Sequence, residues 1–190
     1  MIQLRFQTPD TWTQVVLADF NAFLIDHAAA EKKASGMAIS MLSHYPDRPA
    51  IVKAMIDLAI EEMTHFRDVV RIMTERNIQL AADEKDPYIN QFRKHIRKDS
   101  EPYLLDRLIS AGIIEARGCE RFSLIADAQE DLQLKRFYTA IGRSESRHAT
   151  LFTDLAKEYF PADEVEERLG EMLDIEADII SRLPYRAALH

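Results

Sequence analysis

Two short stretches carry the same pair of chemically capable residues. "LAIEEMTHF" contains Glu62 and His65, and "IGRSESRHATLF" contains Glu145 and His148. On a helix, residues three apart share a face with Cβ atoms roughly 5–6 Å apart, close enough to reach one ion. One such pair in a Glu-rich helical chain is close to a chance expectation. Two pairs, each preceded by another glutamate at matching distance, are not. Glu31 lies 31 residues before Glu62, and Glu115 lies 30 residues before Glu145. The surroundings also agree loosely, "AEKKASG" around Glu31 aligning with "IEARGCE" around Glu115.

These six residues fall on apolar stripes. Steps of three and four along the second long helix pick out Ile51, Met55, Leu58, Glu62, His65, Val69 and Ile72. The third helix gives Leu104, Leu108, Ala111, Glu115, Gly118, Phe122 and Ile125, and the fourth Leu134, Tyr138, Ile141, Glu145, His148, Phe152 and Leu155. The first gives Phe20, Leu24, His27, Glu31, Ala34, Ala38 and Met41. Each stripe is apolar at both ends and broken near its middle by a carboxylate. Burying four carboxylates costs several kcal/mol per ion, roughly, unless something neutralises them. Lys and Arg are missing from the stripe centres, so a pair of divalent cations is the expected counter-charge. Glu31, Glu62, His65, Glu115, Glu145 and His148 form an oxygen-rich set of four carboxylates and two imidazoles, suited to iron or manganese rather than structural zinc. Bridging and terminal roles stay open. The small Ala34 and Gly118, one turn beyond Glu31 and Glu115, leave room beside the ions.

Neighbouring candidates are less well placed. Glu61 and Glu120 lie off their stripes and read as outer or surface groups. His27, one turn before Glu31, reads as a satisfied core histidine, with support of a ligand or a place in a substrate channel as its alternative roles. Cys119 reads as a small buried residue.

The elements that must position this set are helices. Five Gly and seven Pro among 190 residues disfavour turn-rich β architecture. The first helix is expected from about "TPD" to about His44, closed by "YPDRP" with Asp47 as N-cap of the next. The second runs to about Asn77, a short basic helix occupies Tyr88 to Lys98, and the third runs from a cap at Asp99 or Ser100 to about Asp127. The fourth starts near Glu130 and ends before Pro161, and the last runs from about Ala162 to Leu183. The connection from Asn77 to Asp99 is the one long crossover. Two hairpins so joined make an all-α, ferritin-like four-helix bundle with additional helices. The length suits one domain, residues 1–190.

Composition narrows the setting. A single Cys119 rules out an internal disulfide and a cysteine zinc cage, and suits a reducing cytoplasm. No apolar run reaches membrane-spanning length, and "MIQLRFQTPDTW" lacks the pattern of a secretory signal. A net charge of −8 argues against indiscriminate coating of nucleic acid, leaving a local basic face such as "FRKHIRK" open.

With these residues in place, the ligand pattern resembles the ferritin-like di-metal carboxylate proteins. Nearly the whole chain resembles the MiaE family of bacterial tRNA hydroxylases, most distinctly in "LIDHAAAEKKAS", "LAIEEMTHF", "LISAGIIEARGCERF" and "IGRSESRHATLF". Arg147 before His148 matches a common pattern of the di-metal proteins; Glu61 and Ser144 stand where many of them carry Asp. The MiaE resemblance implies a non-haem di-iron monooxygenase with O2 as co-substrate and an electron donor not identified by the sequence. Its implied substrate is 2-methylthio-N6-isopentenyladenosine beside the anticodon of tRNA, hydroxylated on the isopentenyl group. Arg93, Lys94, Arg97 and Lys98 are then candidate contacts to the anticodon stem-loop. Three rivals fit the ligand set alone: a ferroxidase or iron-storage protein, a radical-generating subunit using Tyr138, and a peroxide-handling manganese enzyme.

Overall fold

The computed structural model describes residues 2–190, and every regular element among them is helical. In chain order these are α1 (Asp10–Ala18), α2 (Phe20–His44), α3 (Pro49–Glu75), α4 (Pro87–Phe92), a 3-10 turn (Arg93–His95), α5 (Ser100–Ala128), α6 (Leu132–Tyr159) and α7 (Ala162–Arg182). The chain forms two compact units. One comprises residues 2–13, 85–184 and 190; the other comprises residues 14–84 and 185–189.

In the second of these units, α2 and α3 form a helical hairpin. The expected long first helix is in fact two, because Asp19 leaves helical geometry at φ −137° and ψ 66°. Its side chain accepts a hydrogen bond from Ala22 N at 3.1 Å and so starts α2, a local bond that competes with continuing the helix. Arg48, rather than Asp47, occupies the N-cap of α3. It makes no side-chain cap bond, and Pro49 at the first position has no N–H to satisfy. The helix ends at Glu75, ahead of Asn77, which takes a left-handed φ of 57° while Ile78 N donates to Met73 O at 2.8 Å.

The interior of this hairpin is largely the anticipated seam, with Leu24, Ala38 and Met41 from α2 against Ile51, Met55, Leu58 and Val69 from α3, and Phe23 and Ala28 of α2 are buried beside it. Other positions differ. Phe20 and Ala34 are half-buried, and Ser35 is buried instead, its hydroxyl donating to Ala59 O at 2.9 Å.

In the other unit, α5 and α6 form a second hairpin and α7 packs against both. Asp131, not Glu130, starts α6; its side chain accepts from Gln133 N at 2.8 Å and Leu134 N at 3.3 Å. Gly112 lets these helices approach closely, since a Cβ there would lie 3.3 Å from Ala149 O and 3.3 Å from Phe152 Cβ.

This unit also buries charge. Arg117, fully buried on α5, donates to Glu176 of α7 through Nε at 2.9 Å and Nη2 at 3.0 Å, a two-pronged pairing of complementary planar groups. Arg117 also bonds Glu120, Phe6 O and Thr8, and Tyr88 donates to Glu176 at 3.3 Å. The network anchors the N-terminal segment and α7 to α5. Asp106, buried about three turns earlier on the same face of α5, accepts from Arg97 and Arg168.

Candidate functional site

The helical hairpin α2–α3 brings three of the six candidate ligands together. Donor atoms of Glu31, Glu62 and His65 lie within 4.8 Å of one another, and all three side chains are buried. His65 Nδ1 is 3.3 Å from Glu62 Oε2 and 3.5 Å from Glu31 Oε2. Burial disfavours the charged imidazole, but hydrogen bonds to Glu31 and Glu62 and their negative charge outweigh it, raising the His65 pKa to about 10. The pocket therefore draws positive charge to this position.

The α5–α6 hairpin repeats the arrangement. Donor atoms of Glu115, Glu145 and His148 also lie within 4.8 Å of one another and are buried. His148 Nδ1 stands 3.6 Å from Glu145 Oε2 and 4.0 Å from Glu115 Oε2. In each half the imidazole turns Nδ1 toward the carboxylates. Small Gly118 sits beside them, and a Cβ there would meet Glu145 Cγ and Phe122 Cε2 at an ordinary 3.8 Å.

The far nitrogens show a further correspondence. His65 Nε2 lies 3.9 Å from Glu61 Oε1, and His148 Nε2 lies 3.5 Å from Ser144 Oγ. Glu61 and Ser144 each precede the Glu of their motif, so one helical turn carries both to the back of the imidazole. A group at the second ring nitrogen orients the first toward a metal. Arg147 extends this on α6, its Nη2 donating to Ser144 Oγ at 3.0 Å.

His27 is fully buried, and its Nε2 lies 2.6 Å from Glu31 Oε1. It supports a candidate ligand directly. Glu120 is engaged elsewhere, accepting from Thr8 N at 2.9 Å and from Thr8 Oγ1 at 2.7 Å. Cys119 is half-buried, and burial followed by the Glu145 charge raises its thiol pKa. Tyr138 is fully buried, its ring stacked on Phe122 at 5.8 Å between centroids. Of the four basic residues, Arg93, Lys94 and Lys98 are exposed, whereas Arg97 is held by the buried Asp106 at 2.7 Å.

Carboxylate oxygens and imidazole nitrogens, buried and converging three at a time, are donors that can hold metal ions of the iron or manganese type. The donor chemistry fits.

Comparison with known proteins agrees. A Synechococcus structure described as "Protein 43 with aldehyde deformylating oxygenase activity" superposes with a TM-score of 0.94 at 31% identity, covering 100% of this chain and 96% of that one. A Pseudomonas putida protein named tRNA 2-(methylsulfanyl)-N(6)-isopentenyladenosine(37) hydroxylase is 35% identical over 152 residues, 80% of this chain and 74% of its own length. A Salmonella typhimurium protein of the same name is 33% identical over 82% of this chain, an alignment that spans 56% of that relative. The family model described as tRNA-(MS[2]IO[6]A)-hydroxylase (MiaE) matches residues 2–190.

Fold and donor groups together define the class: an all-α, ferritin-like protein with buried Glu and His groups able to hold metal ions. Within that class, the chain belongs to the MiaE family.

Proposed function

We propose that this chain is a di-iron monooxygenase that hydroxylates the isopentenyl group of 2-methylthio-N6-isopentenyladenosine beside the anticodon of tRNA. The observation that carries the metal reading is the repetition of one buried donor set, a Glu from one helix and Glu-x-x-His from the next, in both hairpins. Glu31, Glu62 and His65 from one unit and Glu115, Glu145 and His148 from the other are the six ligands. Two iron ions bound there supply O2 activation for a C–H bond that offers no acid–base handle.

The protein's own residues have definable tasks. His27 holds Glu31 in place, and Glu61 and Ser144 set the rotation of the two imidazoles. Burial keeps water from the donor atoms and strengthens their electrostatic pull on a cation. The substrate follows from the named relatives, which act on this nucleoside of tRNA. An electron donor completes the stoichiometry, and the cytoplasm, where tRNA is modified, is the matching compartment. No helix of the described residues is long and apolar enough to cross a membrane.

Mass spectrometry of tRNA nucleosides from cells with and without this gene tests the proposal. Loss of the hydroxylated nucleoside with accumulation of its prenylated precursor is the expected result. Unchanged nucleosides refute the substrate while leaving the metal set standing. Iron analysis separates a storage protein, since two ions per chain are expected rather than mineral-sized uptake.

A second reading, oxygenation of an aldehyde, draws on the activity in the description of the Synechococcus protein and on its match along the full chain. Purified iron-loaded protein offered either a medium-chain aldehyde or the modified anticodon stem-loop distinguishes them. Turnover of the aldehyde alone replaces the tRNA reading.

A further inference from the structure

The chain carries a net charge of −8, yet one helix reverses the balance locally. Between Leu132 and Thr150, α6 carries Lys135, Arg136, Arg143 and Arg147, and its one acid there is the buried Glu145. At 3.6 residues per turn, Arg136, Arg143 and Arg147 fall within about 40° of each other around the axis and spread over about 16 Å of its length. All three are exposed. The uncharged Ala140 lies between them on the same exposed stripe, and acids return only at Asp131 and Asp154.

Several other surface cations of this protein face acids. Arg67 stands 3.4 Å from Asp68, Lys157 is 3.2 Å from Glu166, Lys32 is 2.8 Å from Asp83, and Arg182 pairs with Asp178. Arg136 and Arg143 belong to no ion pair among the described residues. Two unpaired guanidinium groups in line on an acidic protein, Arg136 and Arg143, offer a surface for an extended polyanion, because each can grip a phosphate through paired N–H donors. The other basic segment is more compensated, since Arg97 is drawn to Asp106 and the exposed Asp99 and Glu101 lie within three residues of Lys98.

We propose that the Arg136–Arg143–Arg147 face of α6 is the docking surface for the phosphate backbone of the tRNA. This rests on the reading of tRNA as substrate and deepens it. The same helix turns Glu145 and His148 inward, so one rigid element carries both the docking face and half of the candidate ligands. Arg147 ends the stripe at the ligand turn, bonded to Ser144, whose Oγ lies 3.5 Å from His148 Nε2. Backbone contacts of this kind set register and orientation rather than sequence preference.

The test is binding of the iron-loaded full chain to an anticodon stem-loop RNA, followed by fluorescence anisotropy across a salt series. R136E/R143E is expected to weaken binding at least tenfold and to flatten the slope of log affinity against log salt by about 1.5, the share of two phosphate contacts. Iron content and helical circular dichroism stay at wild-type values. R136Q/R143Q gives a smaller loss in the same direction and serves if charge reversal disturbs folding. R93E/K94E/K98E measures the other basic segment in the same assay. Affinity of R136E/R143E within twofold of wild type overturns the proposal, as does a loss confined to R93E/K94E/K98E. If wild-type protein neither binds nor hydroxylates the RNA, the substrate reading fails and this surface with it. If wild type hydroxylates the RNA and R136E/R143E does so with unchanged KM, only the surface fails.

Discussion

His27 Nε2 stands 2.6 Å from Glu31 Oε1, two buried side chains one turn apart on α2. The equivalent turn of α5 has Ala111 before Glu115, so the two half-sets differ in how their lone glutamate is held. Replacing His27 by Phe removes that hold without opening a large cavity. Iron(II) affinity is expected to fall about 10–100-fold, the usual cost of losing a group that orients a metal ligand. Equilibrium dialysis measures it. His27→Gln keeps a polar partner for Glu31 and should recover part of the loss, which a purely packing role for His27 does not predict.

Glu62 and Glu145 are almost completely buried carboxylates. Converting Glu145 to Gln removes a buried charge, so metal-free protein should be no less stable, or somewhat more so, whereas Glu62→Gln also weakens the pairing with His65 and gains less. The rise in Tm on adding iron(II) should shrink, because that rise reports binding to the folded state. Differential scanning calorimetry with and without metal reads both effects. A fall in Tm without metal, together with an intact iron-induced rise, would mean that these carboxylates serve packing instead.

Arg117 and Glu176 make a fully buried two-bond pair linking α5 to α7. Arg117→Met leaves Glu176 buried without its guanidinium partner and should cost about 3–5 kcal/mol in urea unfolding. The double substitution R117M/E176L restores much of this, since it also removes the stranded charge. Equal losses in single and double variants would show that the packing volume of Arg117 matters more than the pair.

Asp86 predicts a pH dependence. Burial opposes its ionisation, but hydrogen bonding and charge from His190, with the Ile89 and Tyr88 amides, lower its pKa to about 2 from the usual 3.8. A depressed carboxylate stabilises the fold above its unfolded pKa and loses that contribution as pH falls through the folded value. Stability should therefore decline between about pH 4 and pH 2, by about 2 kcal/mol from this group. Asp86→Asn keeps an N-capping side chain for α4 and should flatten that limb in urea titrations.

Much of this arrangement was legible because helical order is local. The three-and-four spacing that located Glu31, Glu62, His65, Glu115, Glu145 and His148 requires only that each segment be helical, and each is. The break at Asp19 escaped that reading because apolar spacing continues through it and a single side-chain bond to Ala22 decides the matter. Arg117, Arg121, Asp106 and Glu176 were missed for a different reason. Along the sequence they read as the charged, outward face of a helix. The available signal was the apolar run "LLDRLISAGII", too hydrophobic for a helix with one wet side.

By itself, then, the sequence determined the helices, the two repeated donor sets and the resemblance to a family, since all three depend on residue type and spacing along the chain. Tertiary structure decided which charged residues lose contact with water. It turned Arg117 and Glu176 into a buried clamp, set the buried Asp106 between Arg97 and Arg168, and left Arg136 and Arg143 facing solvent. Burial and pairing arise only when helices pack, because a side chain's solvation depends on what its neighbours cover.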